Sequence, residues 1–353
     1  MAVPKKTIEL KGHSKTVRQV RSEQSSAISV SADKKVRFWN LNSGQHIGTY
    51  EEPGTTVLSI DYDKTSKTSV IWPLSDYTKV HIGHKNGLVS LVDFMERPHI
   101  IVSSQRPVLL ADGFDFSSPG RYVIWENNSV DCWDEEKKVR LWQSVEHTKK
   151  IQQARVISST LFANGLVGTA SSDKTVKLRN MSDGVTVASL AGYTGVVNCL
   201  EPVGDYLLAS GSSDKYVKLW DLRKLTTPIF SSNAHSSPVR AVSYEENGGR
   251  LITGGDDGTV ILWELDNWSR GRRECLGMVT SQTSQQQQTS TSSTSTSTST
   301  STSTHQNTTI SIGTVKESGR LVNLKSGITS IDSDESGLIV GCQDGLIYRY
   351  DFA

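Results

Sequence analysis

One sequence pattern recurs along the chain and constrains its fold more than any other feature. In the clearest copy, an apolar segment starting at Leu207 reaches a turn containing Asp214, and an alternating segment then ends in Trp220-Asp221. The other copies share an Asp or Asn followed six residues later by a large residue: Asp33 to Trp39, Asn86 to Val92, Asn127 to Trp133, Asp173 to Arg179, Asp257 to Trp263 and Asp344 to Tyr350. Most copies are spaced by about the 40–45 residues that one four-stranded repeat unit needs. The sequence therefore predicts seven such units.

The segments inside each copy are typical of β-strands. Val176 and Leu178, like Val217 and Leu219, alternate with polar residues at a period of two. Turns rich in Gly, Asp and Ser bound these segments. Because no long segment shows a helical period, the pattern favours an all-β fold over an α/β fold.

The repeat resembles that of the WD40 family, in which Gly-His precedes the first strand of a unit and Trp-Asp closes the third. The counterparts of Gly-His are Gly12-His13, Glu146-His147, Gly192-Tyr193 and Ala234-His235. The counterparts of Trp-Asp are Trp39-Asn40, Val92-Asp93, Trp133-Asp134, Arg179-Asn180, Trp220-Asp221, Trp263-Glu264 and Tyr350-Asp351. The resemblance covers nearly the whole chain outside one insert, and it implies an all-β, seven-bladed WD40 β-propeller.

The resemblance also implies a buried hydrogen-bonded network within a blade, made by a His, a Ser or Thr, the turn Asp and the Trp. Complete sets are present in blade 1 (His13, Ser29, Asp33, Trp39) and blade 6 (His235, Thr253, Asp257, Trp263). Blade 5 has Tyr193 where the His is expected, and blade 4 has Arg179 where the Trp is expected. Blades 2, 3 and 7 lack most of the set, so we expect them to depend on apolar packing and to be less stable.

The two ends of the chain complement each other. Phe352 and Ala353 alone follow Asp351, so the last blade lacks an outer strand of its own. Residues 6–10 precede the first Gly-His and alternate as a strand does. We expect this N-terminal strand to complete the last blade and to leave no open edge in the ring.

A segment of different composition interrupts the repeats. Residues 280–309 are almost entirely Ser, Thr and Gln and contain no apolar side chain to bury. We expect residues 1–353 to form a single propeller, with residues 280–309 as a disordered insert between blades 6 and 7. The insert is either a tolerated loop expansion, since long surface loops cost little stability, or a modified tether.

The overall composition is that of an intracellular protein. Lys and Arg together number 38 and Asp and Glu 37, which gives no global reason to expect a nucleic acid or an anionic membrane as partner. No run of 18 apolar residues is present to span a bilayer, and the N-terminus does not have the pattern of a secretory signal. The four cysteines are far apart, which favours free thiols in a reducing compartment, either cytoplasm or nucleus.

The sequence has no catalytic or metal-binding motif with the required spacing. The chain contains no H-E-x-x-H, no G-x-S-x-G, no P-loop and no dinucleotide fingerprint. The segment Asp332 to Gly337 copies the opening of a calcium loop, but its twelfth position is Gln343 instead of a bidentate Glu. We therefore expect neither an enzyme nor a metal site nor a cofactor.

In the WD40 family, the loops that lead into each blade and the turns between its second and third strands open on one face, the top face. Residues expected at the mouth of its central channel are Arg18, Leu58, Leu109, Gln152, Asn198, Arg240 and Thr329. The turns add Lys34, Lys35, Lys85, Lys174, Lys215 and Tyr216, opposed chiefly by Asp256. We predict a basic face on which Arg18 and Arg240 bind acidic or phosphorylated peptides. The alternative is that lysines at these turns serve only solubility.

The resemblance implies a non-catalytic scaffold that binds proteins within a multiprotein complex, although function depends on the site and not on the fold. An alternative is a substrate receptor of a cullin-type ubiquitin ligase. It rests on Trp220-Asp221-Leu222-Arg223, which looks like the Trp-Asp-x-Arg box of such receptors. In that case Arg223 contacts the adaptor from the bottom face; otherwise it is an ordinary surface Arg.

Overall fold

A computed structural model describes residues 5–23, 25–51, 57–62, 79–84, 88–93, 99–103, 109–110, 121–134, 137, 139–159, 162–265, 315–321, 324 and 326–352. These residues form 28 β-strands. The described part of the chain contains no helix that could cross a membrane. The strands make seven antiparallel sheets of four strands each, numbered here as blades 1 to 7.

The first four blades follow the chain in order from the inner to the outer strand. Blade 1 comprises β2 (Val17–Glu23), β3 (Ser26–Ser31), β4 (Val36–Asn40) and β5 (His46–Tyr50). Blade 2 comprises β6 (Val57–Tyr62), β7 (Lys79–His84), β8 (Leu88–Asp93) and β9 (His99–Ser103). Blade 3 comprises β10 (Leu109–Leu110), β11 (Arg121–Glu126), β12 (Ser129–Asp134) and β13 (Val139–Ser144). Blade 4 comprises β14 (Ile151–Ser159), β15 (Phe162–Ser171), β16 (Val176–Asn180) and β17 (Thr186–Leu190).

The last three blades include the strand from the N-terminus. Blade 5 comprises β18 (Val197–Val203), β19 (Leu207–Ser212), β20 (Val217–Asp221) and β21 (Phe230–Ser232). Blade 6 comprises β22 (Val239–Glu245), β23 (Arg250–Gly255), β24 (Val260–Leu265) and β25 (Val315–Leu321). Blade 7 comprises β26 (Ile328–Asp334), β27 (Gly337–Cys342), β28 (Ile347–Asp351) and, as its outer strand, β1 (Lys5–Leu10). The predicted all-β fold is confirmed.

The N-terminal strand pairs as the sequence predicts. β1 runs antiparallel to β28, with Lys5 opposite Asp351 and Leu10 opposite Ile347. Each blade contacts the next along the chain, and β26 contacts β22 of blade 6 on one side and β2 of blade 1 on the other. The last blade therefore combines strands from both ends of the chain.

Apolar side chains fill the spaces between neighbouring blades. Leu178 of blade 4 and Leu200 and Trp220 of blade 5 belong to one buried cluster. Leu10 of β1 lies in another, with Val17 and residues of blades 1 and 7. Successive side chains of a strand point to opposite faces of its sheet, so strands that are buried along their whole length, such as β3 and β19, present side chains to the neighbouring blade on each side. The packed blades hold the connecting loops in place on the two faces of the propeller.

The predicted insert, residues 280–309, lies outside the described residues. The described strands on either side of it, β24 and β25, both belong to blade 6 and pair with each other. The connection that contains these residues therefore joins the third and fourth strands of blade 6, rather than blade 6 to blade 7.

Candidate functional site

The hydrogen-bonded network predicted for blade 1 is present. His13 Nδ1 lies 2.8 Å from Asp33 Oδ2, and His13 Nε2 lies 2.8 Å from Ser29 Oγ. Trp39 Nε1 donates to the same Ser29 oxygen at 2.7 Å. A neutral imidazole satisfies every partner if Nδ1 donates to Asp33 and the Ser29 hydroxyl donates to Nε2. Burial lowers the pKa of His13 despite the Asp33 carboxylate, which favours this neutral form.

Blade 6 contains the same arrangement. His235 Nε2 lies 2.9 Å from Thr253 Oγ1, to which Trp263 Nε1 donates at 3.0 Å. The carboxylate of Asp257 also accepts the backbone N–H groups of Ser236 and Thr259, at 2.8 and 3.0 Å. These bonds tie the loop leading into the blade to the turn between its second and third strands. The networks therefore build the top face, and we assign their histidines a structural role.

Blades 4 and 5 keep a network although one member differs. In blade 5 the Tyr193 hydroxyl accepts from Trp220 Nε1 at 2.8 Å and lies 2.7 Å from Ser210 Oγ. In blade 4, Arg179 is fully buried, and its Nη1 donates to Thr169 Oγ1 at 2.7 Å. Arg179 Nε also donates to Ser144 Oγ of blade 3 at 3.0 Å, so this network joins two blades.

The turns between second and third strands have left-handed residues at equivalent positions. Lys34, Lys174 and Lys215 have φ values of 75°, 70° and 76°. Gly258 and Gly345 take this position in blades 6 and 7, with φ of 68° and 88°. All three lysines are exposed, so the turns display positive charge on the top face at positions where a Cβ is unfavourable.

Because glycine adopts positive φ without strain, Lys34→Gly, Lys174→Gly and Lys215→Gly should each raise the free energy of unfolding by about 0.5 kcal/mol. Urea unfolding of the purified variants measures this change. Lys149→Gly, at an exposed lysine without positive φ, is the matched control and should leave stability unchanged or lower it. A loss of stability at the three turns that equals the control would contradict the strain argument.

A polar cavity of about 430 Å³ opens at the centre of the top face. It is lined by Thr16, Gln152, Asn198, Arg240, Asp256, Thr329 and Gln343. The structure thus brings together Gln152, Asn198, Arg240 and Thr329, four of the residues that the sequence places at the channel mouth.

Each mouth residue in blades 4 to 6 is hydrogen-bonded to the residue that precedes the turn Asp of its own blade. Gln152 Nε2 donates to Ser172 Oγ at 2.7 Å, and Asn198 Nδ2 donates to Ser213 Oγ at 3.1 Å. In blade 6 the equivalent pair is charged, with Arg240 Nε donating to Asp256 Oδ2 at 2.9 Å. Much of the positive charge of Arg240 is therefore balanced by Asp256.

Two residues that line the cavity, Gln343 and Thr16, were not predicted at the channel mouth. Gln343 precedes the turn Asp of blade 7, and its Nε2 donates to Asp256 Oδ1 at 3.0 Å. Thr16 Oγ1 donates to the backbone oxygen of Gln343 at 2.9 Å. Gln343 could be predicted as a lining residue from its position directly before the turn Asp of blade 7, because Ser172, Ser213 and Asp256 occupy the same position in the preceding blades.

The remaining predicted site residues surround the cavity or fall elsewhere. Arg18 is exposed on β2, and Tyr216 is 37% exposed beside Lys215. Lys85 lies outside the described residues. Leu58 and Leu109, the other predicted mouth residues, lie in β6 and β10, for which the structure describes the backbone.

Arg223 lies at the turn after β20, on the opposite, bottom face. Its Nε and Nη2 donate to the two carboxylate oxygens of Asp221 at 2.8 and 2.7 Å, and its guanidinium lies 4.9 Å from the centre of the Tyr206 ring. The side chain is 38% exposed. The segment from Asp332 to Gly337 is the hairpin between β26 and β27, and Asp334 Oδ1 accepts the backbone N–H groups of Ser336 and Gly337 there.

Comparisons with known proteins agree with this geometry. The family described as "WD domain, G-beta repeat" matches residues 4–40, 184–221 and 226–264. The crystal structure of the WD40 beta propeller domain of Doa1 superimposes with a TM-score of 0.68 at 22% identity, covering 98% of this chain and 96% of that one.

One of two curated relatives is named as a WD repeat-containing protein. F-box/WD repeat-containing protein A of Dictyostelium discoideum is 47% identical over 99% of this chain, which spans 29% of that protein. The human DDB1- and CUL4-associated factor 10 is 37% identical over 73 residues, which are 21% of this chain and 13% of that protein. The chain therefore spans less than a third of the length of each of these two relatives. It belongs to the WD40-repeat β-propeller family, as its repeats, its seven four-stranded sheets and the matched family show together.

Proposed function

We propose that the chain is a non-catalytic scaffold that binds protein partners within a multiprotein complex, through a basic top face that recognises acidic or phosphorylated segments. The observation that supports this proposal most is that the top face has exposed cations without an ion pair, whereas most of its carboxylates are bound within the blades. In the described part of the chain, the exposed top-face cations without an ion pair are Lys15, Arg18, Lys34, Lys149, Lys150, Lys174 and Lys215.

The carboxylates of the same face are mostly engaged within the blades. Asp33, Asp173 and Asp257 each bind a buried His. Asp214 accepts the backbone N–H groups of Thr194 and Tyr216, at 2.9 and 3.1 Å. The side chains of Asp33 and Asp173 keep their negative charge but are only 5% and 8% exposed, so an incoming carboxylate or phosphate first meets exposed cations that form no ion pair.

The cavity supports binding of a peptide at the centre of this face. Arg240 reaches it with its orientation held by Asp256, and amide side chains of Gln152, Asn198 and Gln343 supply hydrogen-bonding groups around it. Negative groups of the peptide would extend toward the lysines of blades 1, 4 and 5, while Asp256 and the exposed Asp344 disfavour them over blades 6 and 7.

The proposal includes an intracellular location, in cytoplasm or nucleus. Cys132, Cys199 and Cys342 are buried free thiols, which agrees with a reducing compartment. Burial raises the pKa of the Cys199 thiol to about 12, so this cysteine is unreactive at neutral pH.

A second candidate, a substrate receptor of a cullin-type ubiquitin ligase, is favoured by one comparison. The human relative matched over 73 residues is named as a DDB1- and CUL4-associated factor. Arg223 then contacts the adaptor from the bottom face. Because its guanidinium is held by both oxygens of Asp221, it is preorganised but must share its donors with that carboxylate.

We expect Arg18→Glu/Arg240→Glu to weaken binding of phosphorylated and Asp/Glu-rich peptides at least about tenfold and to reduce its salt dependence. An array of synthetic peptides, each paired with an uncharged version, measures this for the folded variants. Lys5→Glu/Lys316→Glu, at exposed lysines of outer strands, is the matched control and should bind as the parent does.

Co-purification of partners with the parent and with variants of each face distinguishes the two candidate functions. Unchanged partners, affinity and salt dependence for the folded Arg18→Glu/Arg240→Glu variant would contradict the basic top face. Capture of a cullin adaptor by the parent and its loss in Arg223→Ala would favour the ligase receptor, whereas failure of both to capture it excludes that role.

A further inference from the structure

The polar cavity at the centre of the top face is lined mainly by uncharged side chains. Its uncharged lining residues are Thr16, Gln152, Asn198, Thr329 and Gln343. The other two, Arg240 and Asp256, form an ion pair in which Arg240 Nη2 lies 2.8 Å from Asp256 Oδ2. The centre of the top face therefore differs from its surroundings, where the exposed lysines of blades 1, 4 and 5 carry positive charge.

Three of the uncharged residues use their hydrogen-bond donors within the protein. Thr16 and Thr329 each donate the hydroxyl hydrogen to a backbone oxygen. Asn198 donates both amide hydrogens, to Ser213 Oγ at 3.1 Å and to the backbone oxygen of Val239 at 2.7 Å. These residues shape the wall of the cavity but have no hydrogen left to donate to a ligand.

The two glutamines keep part of each amide group available. Gln152 Nε2 donates to Ser172 Oγ at 2.7 Å, and Gln343 Nε2 donates to Asp256 Oδ1 at 3.0 Å. Neither Oε1 accepts a hydrogen bond within the described part of the chain. Because a carboxamide has an oxygen acceptor and two N–H donors, each glutamine can still both accept and donate.

Arg240 adds donors to the cavity while its charge is balanced. Its Nε and Nη2 donate to Asp256, and its Nη1 lies 3.5 Å from Asn198 Oδ1. Since each terminal nitrogen of a guanidinium carries two hydrogens, one on Nη1 and one on Nη2 remain for a ligand. The cavity therefore offers both donors and acceptors, with opposite charges that offset each other.

These groups match a carboxamide better than any other side chain. An Asn or Gln of a bound peptide can exchange N–H···O bonds with a lining glutamine in both directions and can place its oxygen against Arg240. A carboxylate or phosphate leaves the glutamine oxygens unpaired and is repelled by Asp256. A Lys or Arg side chain is repelled by Arg240, and an apolar side chain leaves every one of these groups unpaired.

The charges around the cavity determine what flanks such a residue. Exposed lysines lie on blade 1, such as Lys34, and on blades 4 and 5, such as Lys174 and Lys215. In a ring of seven blades, blades 4 and 5 stand opposite blade 1. An extended segment that crosses the cavity from blade 1 to blades 4 and 5 therefore passes over a positive, then a neutral, then a positive surface.

We propose that the cavity selects an Asn or Gln residue of the bound peptide, with acidic or phosphorylated residues on both sides of it. This inference rests on the proposed function, because it concerns the peptide that the basic top face binds. The lysines attract the flanking acidic residues, and Gln152 and Gln343 determine which residue lies between them. The top face thereby distinguishes among acidic segments of equal charge.

Fluorescence anisotropy with labelled synthetic peptides tests the proposal. Each peptide has one varied residue between two runs of glutamate. Peptides with Gln or Asn at that position should bind the parent at least about tenfold more tightly than peptides with Leu, Glu or Lys. The comparison with Leu decides, because Leu has nearly the shape of Asn and the same charge but no hydrogen-bonding group.

A variant of the cavity identifies the residues that select the amide. Gln152→Met/Gln343→Met removes both amide groups and keeps the length of the side chains. It should bind the Gln, Asn and Leu peptides with one affinity, close to that of the parent for the Leu peptide. Gln45→Met, at an exposed glutamine of the bottom turn of blade 1, is the matched control and should keep the preference of the parent.

The outcomes separate this inference from the function on which it rests. If the parent binds these peptides equally whatever the central residue, or if Gln152→Met/Gln343→Met keeps the preference, the cavity does not select a carboxamide, while the basic top face is upheld. A parent that binds none of the peptides contradicts both the basic top face and the selection of an amide.

Discussion

Deletion of residues 1–10 is expected to lower the free energy of unfolding by about 5 kcal/mol or more, a large part of the 5–15 kcal/mol typical of a folded domain. Leu10 is fully buried between blades 7 and 1, and truncating a buried Leu alone costs about 2–5 kcal/mol. The deletion also removes the partner of β28, so the backbone groups of that strand face water.

Urea and thermal unfolding followed by circular dichroism measure this effect. Deletion of residues 1–4, which leaves every paired residue of β1 in place, is the matched control. Leu10→Ala should fall between the control and the full deletion, since it removes the buried side chain but keeps the strand. An unfolding midpoint that is unchanged by deletion of residues 1–10 would show that β1 does not stabilise the propeller.

Mild acid is expected to destabilise the chain strongly, through three buried histidines. Burial lowers the pKa of His13, His147 and His235 below the ordinary value of about 6.5, although Asp33, Asp173 and Asp257 act in the opposite direction. In the unfolded chain these histidines take up protons as the pH falls through about 6.5, whereas in the folded chain they remain neutral. The unfolded state therefore binds more protons, and stability falls with falling pH.

The size of the effect follows from proton linkage. Each histidine contributes up to about 1.4 kcal/mol per pH unit, so the three together contribute up to about 4 kcal/mol per unit between pH 6.5 and their folded pKa values. Urea unfolding at several pH values from 8 to about 5.5 measures this slope. Stability that is constant over this range would contradict the prediction.

The blade 5 network provides the matched variant for this experiment. There Tyr193 replaces the His, and burial raises the pKa of its hydroxyl, so the network contains no group that gains a proton in mild acid. His13→Tyr and His235→Tyr should therefore each reduce the slope by about a third of its value. Variants that fold but keep the full slope would assign the pH dependence to other groups.

The turn aspartates add a second loss of stability at lower pH. Burial raises the pKa of Asp33, but the hydrogen bond from His13 and those from the backbone of Ser14 and Lys35 outweigh it, and the net pKa is lowered. Asp173 and Asp257 are shifted in the same direction. Their contribution is present above the ordinary carboxyl pKa of about 3.9 and is lost as the pH falls through the lower folded values.

The repeat, the strands and the members of the buried networks in blades 1 and 6 can be predicted from the sequence. Ser29, Asp33 and Trp39 lie within one hairpin, where the period of two fixes which side chains share a face. The same alternation predicts a strand at residues 6–10, and the structure shows that this strand pairs with β28 of blade 7. The repeat and the hairpin part of each network depend on short-range geometry, which a sequence pattern records directly.

The contacts between side chains of different strands and blades depend on the tertiary structure. The ion pair of Arg240 with Asp256 depends on the register between β22 and the turn after β23, which a bulge shifts by one residue. The bond from Arg179 to Ser144 joins blades 4 and 3, and Trp142 is covered by the turn at Gly184, so neither contact follows from the repeat within a single blade. The exposure of Val145 and Val185 is likewise set by how neighbouring blades pack, because alternation assigns a residue to a face of its strand but not to a neighbour that covers it.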